Sequence, residues 1–179
     1  MNRPAYRIQQ LVFSAVCLAL CLVLPFLTGQ IPEIGGMLCP MHLPVLLCGL
    51  LCSPFWAAAV GFIAPLLRFV LFGMPTLKPT GLAMCFELAA YGLASGLLIR
   101  RLPENRLTIW LALIPAMLCG RIVWGIVRVL LSGVSGSAFT WAAFMAGAFT
   151  NAIPGIIVQL LLLPVLFSAL KHVLPRSGQ

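Results

Sequence analysis

The sequence predicts an all-α integral membrane protein, built as a bundle of six transmembrane helices with both termini in the cytoplasm. Of its 179 residues, 62% are hydrophobic and only 8% are charged, and the mean hydropathy is +1.12. Because a soluble domain carries about 25% charged residues, this composition excludes a soluble enzyme, a nucleic-acid-binding domain and a disordered chain. Six spans of about 20 residues use nearly the whole chain, so we expect one domain over residues 1–179.

Six apolar runs separated by helix-breaking residues predict the six spans. The runs cover approximately Ile8–Thr28, Met41–Cys52, Phe55–Phe72, Thr80–Ile99, Leu107–Leu131 and Trp141–Leu170. The glycines and the proline of Gly29–Gly36 predict a loop after the first span, and the Gly/Ser stretch from Ser132 is expected to end the fifth. The last run is long for a single span, so we expect either an outer lid at its start or a kink at Pro154.

The basic residues predict the orientation of these spans. In the six-span arrangement one side carries Arg3, Arg7, Arg100, Arg101, Arg106, Lys171 and Arg176, whereas the other side carries only Lys78. The positive-inside rule therefore places both termini and the link between the fourth and fifth spans in the cytoplasm. This distribution accounts for the net charge of +8 without any dense basic run. The expected surroundings are a lipid bilayer, and nucleic acid is not an expected partner.

Ionisable residues at membrane depth are the main functional signal. They are Arg68, Glu87, Arg121 and Arg128. Each costs about 2.5–3.5 kcal/mol at the centre of a helix unless it is paired or hydrated. Arg121 and Arg128 lie two turns apart and share a helix face with Trp124, an aromatic residue that could stack on a planar ligand. One carboxylate cannot neutralise three guanidiniums, and the surplus suits an anionic ligand. For Arg68 and Arg128, snorkelling to the membrane interface is an equally open interpretation.

Polar residues in the sixth and second spans have two interpretations each. Asn151 precedes a Pro-Gly pair that frees backbone groups, so it is a candidate ligand contact. The alternative is an interhelical hydrogen bond, with Gly155 as a packing notch and Gln159 as a similar interhelical contact. His42 is interpreted as a polar residue at the start of a helix, with no assigned role in proton transfer.

Small residues inside the apolar runs indicate packing. The seven cysteines, all but Cys39 inside apolar runs, are interpreted as small apolar fillers. Cys17 with Cys21 and Cys48 with Cys52 are one helical turn apart, but no histidine or carboxylate joins either pair at metal-ligand spacing. We therefore expect no metal and no cofactor. Ala15 and Ala19 lie one helical turn apart on the first span, and packing within the bundle is the default interpretation of that face.

The combination resembles the substrate-binding S components of energy-coupling-factor (ECF) transporters, which take up vitamins across the prokaryotic plasma membrane. The resemblance covers nearly the whole chain and includes the segments Pro40–Leu51, Gly61–Leu67, Gly73–Pro75 and Glu87–Gly92. It implies a transport subunit with no catalytic residues, which binds its ligand outside and releases it inward by toppling. It also implies that Ala15 and Ala19 dock on a transmembrane coupling protein that works with two ATPase subunits.

The resemblance also implies a set of site residues. The substrate contacts are Glu87, Arg121, Trp124, Arg128 and Asn151, and the lid loops contain Gly35, Gly36, Gly73, Met74 and Pro75. The surplus of arginine favours a vitamin with a carboxylate such as pantothenate, although Glu87 with Trp124 leaves room for a neutral or cationic heterocycle. The chain has no phosphate-binding Gly-x-x-x-x-Gly-Lys-Ser/Thr loop, so ATP hydrolysis is expected from partner chains.

Two other classes of function compete with this interpretation. An intramembrane enzyme is disfavoured because neither His42 nor His172 lies near a plausible serine or aspartate. A proton-coupled secondary carrier needs a titrating carboxylate, for which Glu87 is the candidate, and an arginine partner would favour a fixed ion pair instead. Uptake that depends on ATPase partners, as opposed to a proton gradient, distinguishes the carrier from the ECF component.

Overall fold

The chain is helical in a computed structural model that describes residues 3–28, 31–103, 105, 107–135 and 140–171. No strand occurs in these ranges. Five of the described helices are long and apolar enough to cross a membrane, and one further apolar helix is shorter. The predicted all-α membrane fold with six apolar segments is therefore confirmed, while the sidedness of the termini stays a prediction.

The helices are, in chain order, α1 (Arg3–Val23), α2 (Pro32–Leu38), α3 (His42–Leu51), α4 (Pro54–Phe72), α5 (Leu82–Arg101), α6 (Thr108–Ser135), α7 (Trp141–Met145) and α8 (Ile153–Leu170). A 3-10 turn, Leu24–Thr28, continues α1, and a wide π-type turn, Ala146–Thr150, follows α7. The link between α4 and α5 includes Lys78 in an extended conformation.

The short helix α3 lies at the centre of the bundle. It packs against α1, α4, α5 and α8, and its residues from Pro44 to Leu51 are all buried. Ten residues of helix span about 15 Å, half of the roughly 30 Å hydrocarbon core. The second apolar run is short because α3 is a buried core helix, and it is apolar all round because its sides face other helices.

Glycines let α4 and α5 approach until their backbones touch. A Cβ atom at Gly92 of α5 would lie 2.5 Å from the carbonyl oxygen of Ala57 in α4. Gly61 of α4 meets the backbone of Leu88 in the same way. Such close contacts are typical of helix packing in membranes. These contacts set the position of α5. They also set the position of Glu87, which immediately precedes Leu88.

The predicted loop after the first span is wrong for its second half, because Pro32–Leu38 forms the helix α2. Gly35 and Gly36, which were assigned to a lid loop, therefore lie in a helix, while Gly29 and Gln30 lie outside the described residues. Pro32 occupies the first turn, where a missing N–H is tolerated. The helix ends at Cys39, whose left-handed conformation (φ 48°, ψ 52°) lets its amide donate to the Gly35 carbonyl oxygen at 3.0 Å.

The fifth apolar run continues as a helix beyond its predicted end at Ser132. Helix α6 reaches Ser135 and includes Gly133. A glycine costs only about 1 kcal/mol in a helix, whereas each unsatisfied backbone group in an apolar environment costs several kcal/mol. Continued helical hydrogen bonding therefore outweighs the weak breaking tendency of the Gly/Ser stretch.

The sixth apolar run is interrupted earlier than the predicted kink at Pro154. The wide turn Ala146–Thr150 and the two residues after it separate α7 from α8. Pro154 lies in the first turn of α8, a position that suits proline because no helical hydrogen bond is lost there. Its role is to begin α8, and the long run divides into a short helix and a span.

A glycine-to-alanine pair tests the contact between α4 and α5. Gly92→Ala should destabilise the protein by about 1–3 kcal/mol, because the added methyl group overlaps the Ala57 carbonyl. Gly133→Ala is the matched control, since a Cβ there meets no atom within 4 Å, and it should be neutral or stabilising by about 0.5–1 kcal/mol. Thermal unfolding in detergent compares the two. Equal effects at both positions would contradict the packing.

Candidate functional site

A buried ion pair between α5 and α6 forms the centre of the candidate site. Nη1 of Arg121 donates to Oε1 of Glu87 at 2.8 Å, and the two residues are only 6% and 1% exposed. The close packing of Gly120 on the ring of Tyr91 brings α6 against α5, since a Cβ there would lie 2.9 Å from that ring. Each charge offsets the cost of burying the other. Of the arginines at membrane depth, Arg121 is thus the one that forms an ion pair with Glu87 in the described part of the chain.

Sequence reasoning missed that His42 belongs to this cluster. His42 begins α3, as predicted, but its Nε2 atom lies 3.3 Å from Oε1 of Glu87. Its ring meets the ring of Tyr91 edge to face, with a centroid distance of 5.1 Å. The three residues are buried. The available signal was a histidine at the start of an apolar run that is too short to be a span, since such a helix is buried on all sides.

Cys39 and Gln159 connect the ion pair to α2 and α8. Nη2 of Arg121 contacts Sγ of Cys39 at 3.6 Å, and Nε2 of Gln159 donates to the Cys39 carbonyl oxygen at 3.4 Å. Gln159 is therefore an interhelical contact, in line with the interpretation from sequence. The role of Cys39 was missed, although a signal was available, because Cys39 is the one cysteine of the seven that lies outside the predicted apolar runs.

Several polar atoms in this cluster have no hydrogen-bond partner among the described residues. They are Nδ1 of His42, the hydroxyl of Tyr91 and Nε of Arg121, and all three are buried. Buried polar groups are almost always hydrogen-bonded, so each exception needs an explanation. The cluster therefore has capacity to donate and accept further hydrogen bonds from a polar group or from water.

Trp124 and Arg128 form a second group on the same face of α6. The guanidinium carbon of Arg128 lies 5.8 Å from the centre of the Trp124 ring. Trp124 stacks in turn on Phe144 of α7, with ring centroids 6.1 Å apart. Both α6 residues are half-buried. The structure thus joins two of the predicted site residues and adds Phe144, whose contact depends on the folding of α7 against α6.

Asn151 lies away from the buried cluster. It is exposed in the turn between α7 and α8, and its backbone amide donates to the Ala146 carbonyl oxygen at 2.9 Å. Gly155 is a packing notch, as its alternative interpretation proposed. Its neighbour is α2, because a Cβ at Gly155 would lie 2.6 Å from the Met37 carbonyl oxygen. Helix α2 is thereby seated directly on α8.

Arg68 has a structural environment of its own. Its Nη1 atom donates to the Leu22 carbonyl oxygen at 2.6 Å, and its guanidinium lies 5.3 Å from the Phe26 ring and 5.4 Å from the Phe72 ring. The residue is 4% exposed, so it does not snorkel to water. A carbonyl and two aromatic faces stabilise this buried cation at the ends of α1 and α4.

The predicted lid and docking residues lie at the surface of the bundle. Gly73 ends α4 in a left-handed conformation (φ 71°), and Met74 and Pro75 follow it in the non-helical link to α5. Ala15 and Ala19 are exposed on α1. The default interpretation of these alanines as packing within the bundle is therefore wrong in the described part of the chain.

An apolar groove between α6 and α7 is lined by neither Arg121 nor Arg128. It has a volume of about 590 Å³ and is lined by Ile122, Gly125, Ile126, Val129, Leu130, Thr140, Trp141 and Phe144. The aliphatic residues of α6 in this lining are more than half exposed. An apolar, open groove of this kind faces lipid in a membrane protein. Phe144 lines the groove and also contacts Trp124.

The cysteines form no disulfides. All seven are free, six are buried and Cys119 is exposed. No group of three or more His, Cys, Asp or Glu side chains within the described ranges could hold a metal ion. The cluster around Glu87 is accordingly a hydrogen-bonding and charge-bearing site.

A family model matches most of the chain. The family is described as the ECF transporter, substrate-specific component, and the match covers residues 9–167. It therefore includes the α1 face, the buried cluster and most of α8. No curated protein and no solved structure matches the chain.

Removing one charge from the ion pair should destabilise the bundle. Glu87→Gln leaves the buried Arg121 cation uncompensated, which costs about 3–5 kcal/mol for buried pairs of this kind. Replacing both residues, as in Glu87→Gln with Arg121→Met, should restore part of that loss, because no buried charge is left. Circular dichroism during heating in detergent measures both variants.

The control is Arg101→Gln, at an exposed residue at the end of α5, which should leave the unfolding temperature unchanged. A double variant that is no more stable than Glu87→Gln would show that the ion pair does not determine the stability of this region.

Proposed function

This chain belongs to the family of substrate-specific components of ECF transporters, and we propose that its substrate is a small molecule with a carboxylate, pantothenate being the first candidate. Membership makes it a substrate-binding subunit of a multi-subunit transporter and a multi-pass membrane protein. The substrate's chemical class, the residues that bind it and the docking face are parts of the proposal, as is its residence in the prokaryotic plasma membrane.

The observation that carries the proposal is that one face of α6 bears two guanidiniums at membrane depth. Arg121 is held by Glu87 through the 2.8 Å ion pair, and Arg128 lies two helical turns further along the same face. Guanidiniums are the side chains that bind carboxylates best in a partly buried site, which favours a substrate with a carboxylate.

The aromatic contact of Arg128 supports its role in binding. An arginine beside an aromatic ring is a common arrangement in binding sites, because the planar guanidinium packs on rings and also matches the geometry of a carboxylate. Trp124 provides the ring at 5.8 Å. We propose that Arg128 and Trp124 contact the substrate where the site is half-buried, that Glu87 and Arg121 line its deeper part, and that Asn151 lies at its edge.

The proposed lids are α2 and the Gly73–Pro75 link. Helix α2 is seated on Gly155 of α8 and is tied to the buried cluster through Cys39. A lid with these contacts covers the substrate and excludes water, which strengthens each polar contact inside the site.

The proposed docking surface is the face of α1 that carries Ala15 and Ala19. Both are exposed, and Val12 and Val16 beside them are 57% and 50% exposed. Small side chains allow the backbone of a partner helix to approach closely. We propose that the transmembrane coupling protein packs here, that two ATPase subunits drive the complex, and that the bound component topples to release its substrate inward.

Substrate retention tests the binding residues. Wild-type protein purified in detergent and then denatured should release a vitamin-sized carboxylate that mass spectrometry identifies. Arg128→Gln should retain at least about tenfold less, because a charge-assisted contact is lost. Arg101→Gln, an exposed arginine at the end of α5, is the matched control and should retain the wild-type amount. Equal retention in Arg128→Gln would remove Arg128 from the site.

Bulk on α1 tests the docking surface. Ala15→Leu with Ala19→Leu should abolish co-purification with the coupling protein and ATP-dependent uptake, because the partner helix can no longer approach closely. Substrate retention by the isolated variant should be unchanged. Ala169→Leu, at an exposed alanine of α8, is the control. Uptake that persists in the double variant and follows a proton gradient would favour the secondary carrier.

A further inference from the structure

The hydrogen bonds of Arg121 are unequal in strength. Nη1 makes a charge-assisted bond of 2.8 Å to Glu87, whereas Nη2 contacts the sulfur of Cys39 at 3.6 Å. Sulfur is a weak acceptor. Nε of the same guanidinium is buried with no partner among the described residues. One edge of a side chain that is more than nine-tenths buried is therefore poorly satisfied.

We propose that Sγ of Cys39 occupies the acceptor position at Arg121 that the substrate carboxylate takes on binding, which makes Cys39 an affinity-determining positioning residue. The inference rests on the proposed function, because it requires an anionic substrate at this site. The inference places the substrate carboxylate at Arg121, two helical turns deeper than Arg128. It also identifies the contact that the carboxylate replaces, which is the one between Arg121 and Sγ of Cys39.

The relative strengths decide which contact the substrate replaces. Exchanging an N–H···S contact for an N–H···O⁻ bond is favourable, since bonds to ionised oxygen are about twice as strong as neutral ones. Displacing Glu87 would exchange one carboxylate for another and would leave a buried anion unpaired. The substrate therefore binds beside the ion pair, and Glu87 continues to hold Arg121 in place.

Neighbouring groups fit a carboxylate in this position. The buried Tyr91 hydroxyl and Nδ1 of His42 lie in the same cluster without partners among the described residues. Nε of Arg121 and the Tyr91 hydroxyl are donors that can serve the two oxygens of a carboxylate. The hydrogen-bonding capacity that is unused in the protein alone is thus of the kind that an anionic substrate completes.

The position of Cys39 links this exchange to α2. Cys39 is the one described residue other than glycine with a positive φ, and it caps the end of α2, with Pro40 and Met41 between it and α3. A residue held in this conformation is constrained by its surroundings. Moving its sulfur off Arg121 therefore alters the contact that ties the proposed lid to the core.

Two substitutions at Cys39 should change substrate affinity in opposite directions. In Cys39→Ser a hydroxyl, which is a stronger acceptor, competes better for Nη2, so the Kd for pantothenate should rise about three- to tenfold. In Cys39→Ala the acceptor is absent, so the Kd should fall by a similar factor. Serine and alanine both lack a branch at Cβ, so both tolerate the left-handed backbone conformation at position 39 equally. Titration calorimetry on purified protein in nanodiscs measures the values.

The unliganded protein should show the reverse order in stability. Cys39→Ser should unfold at a higher temperature than Cys39→Ala, because only the serine satisfies Arg121 without substrate. Cys119→Ser and Cys119→Ala are the matched controls, since this exposed cysteine lies on the same helix as Arg121, and neither should change Kd.

The outcomes separate the two proposals. If the wild type binds pantothenate but both Cys39 variants lose affinity, or neither changes, Cys39 has only a structural role and this inference is overturned. If the wild type does not bind pantothenate, the same ranking is measured with the compound released on denaturation. A wild type that binds neither compound overturns the proposed function, and this inference with it.

Discussion

The rest of the bundle depends on one ion pair that is buried between two helices. Glu87 and Arg121 come from two helices, and neither charge is tolerable at this depth without the other. The pairing requires α5 and α6 to lie side by side in one register, which Gly120 permits by letting α6 approach the Tyr91 ring. The same requirement orients α6, so that Arg128 and Trp124 follow on the face that bears Arg121.

Close backbone packing supplies the rigidity that such a pair needs. The glycine contacts between α4 and α5 leave no room for α5 to shift, and α3 fills the centre of the bundle beside it. Helix α3 is too short to cross a bilayer, yet its buried position delivers His42 to the Glu87 carboxylate. The short helix α3 thus supplies His42 to the polar cluster.

The polar cluster also connects α2 to the interior of the bundle. Helix α2 rests on Gly155 and ends at Cys39, whose sulfur and carbonyl contact Arg121 and Gln159. Contacts of unequal strength meet at one guanidinium, and the proposed exchange replaces the weak one and leaves the strong one intact. In a substrate-binding subunit this arrangement joins recognition to the proposed lid without breaking the ion pair on which the fold depends.

Composition and apolar runs determined the membrane class, the six apolar segments and the candidate residues Glu87, Arg121, Trp124 and Arg128, because the cost of charge in lipid is a property of the residue and its depth. The predicted ends of segments were less accurate. Helix α2 packs its last residues on Gly155 of α8, a contact with a segment distant in sequence that the residues of α2 do not reveal.

Only the tertiary structure decided which of these residues meet. The sequence offers three arginines to one glutamate at membrane depth, and nothing in their spacing selects Arg121 as the partner of Glu87. The choice is made by helix packing, which buries Arg68 against aromatic rings, pairs Arg121 with Glu87 and leaves Asn151 exposed. A charge in lipid predicts that a partner exists, and packing between distant segments determines which one it is.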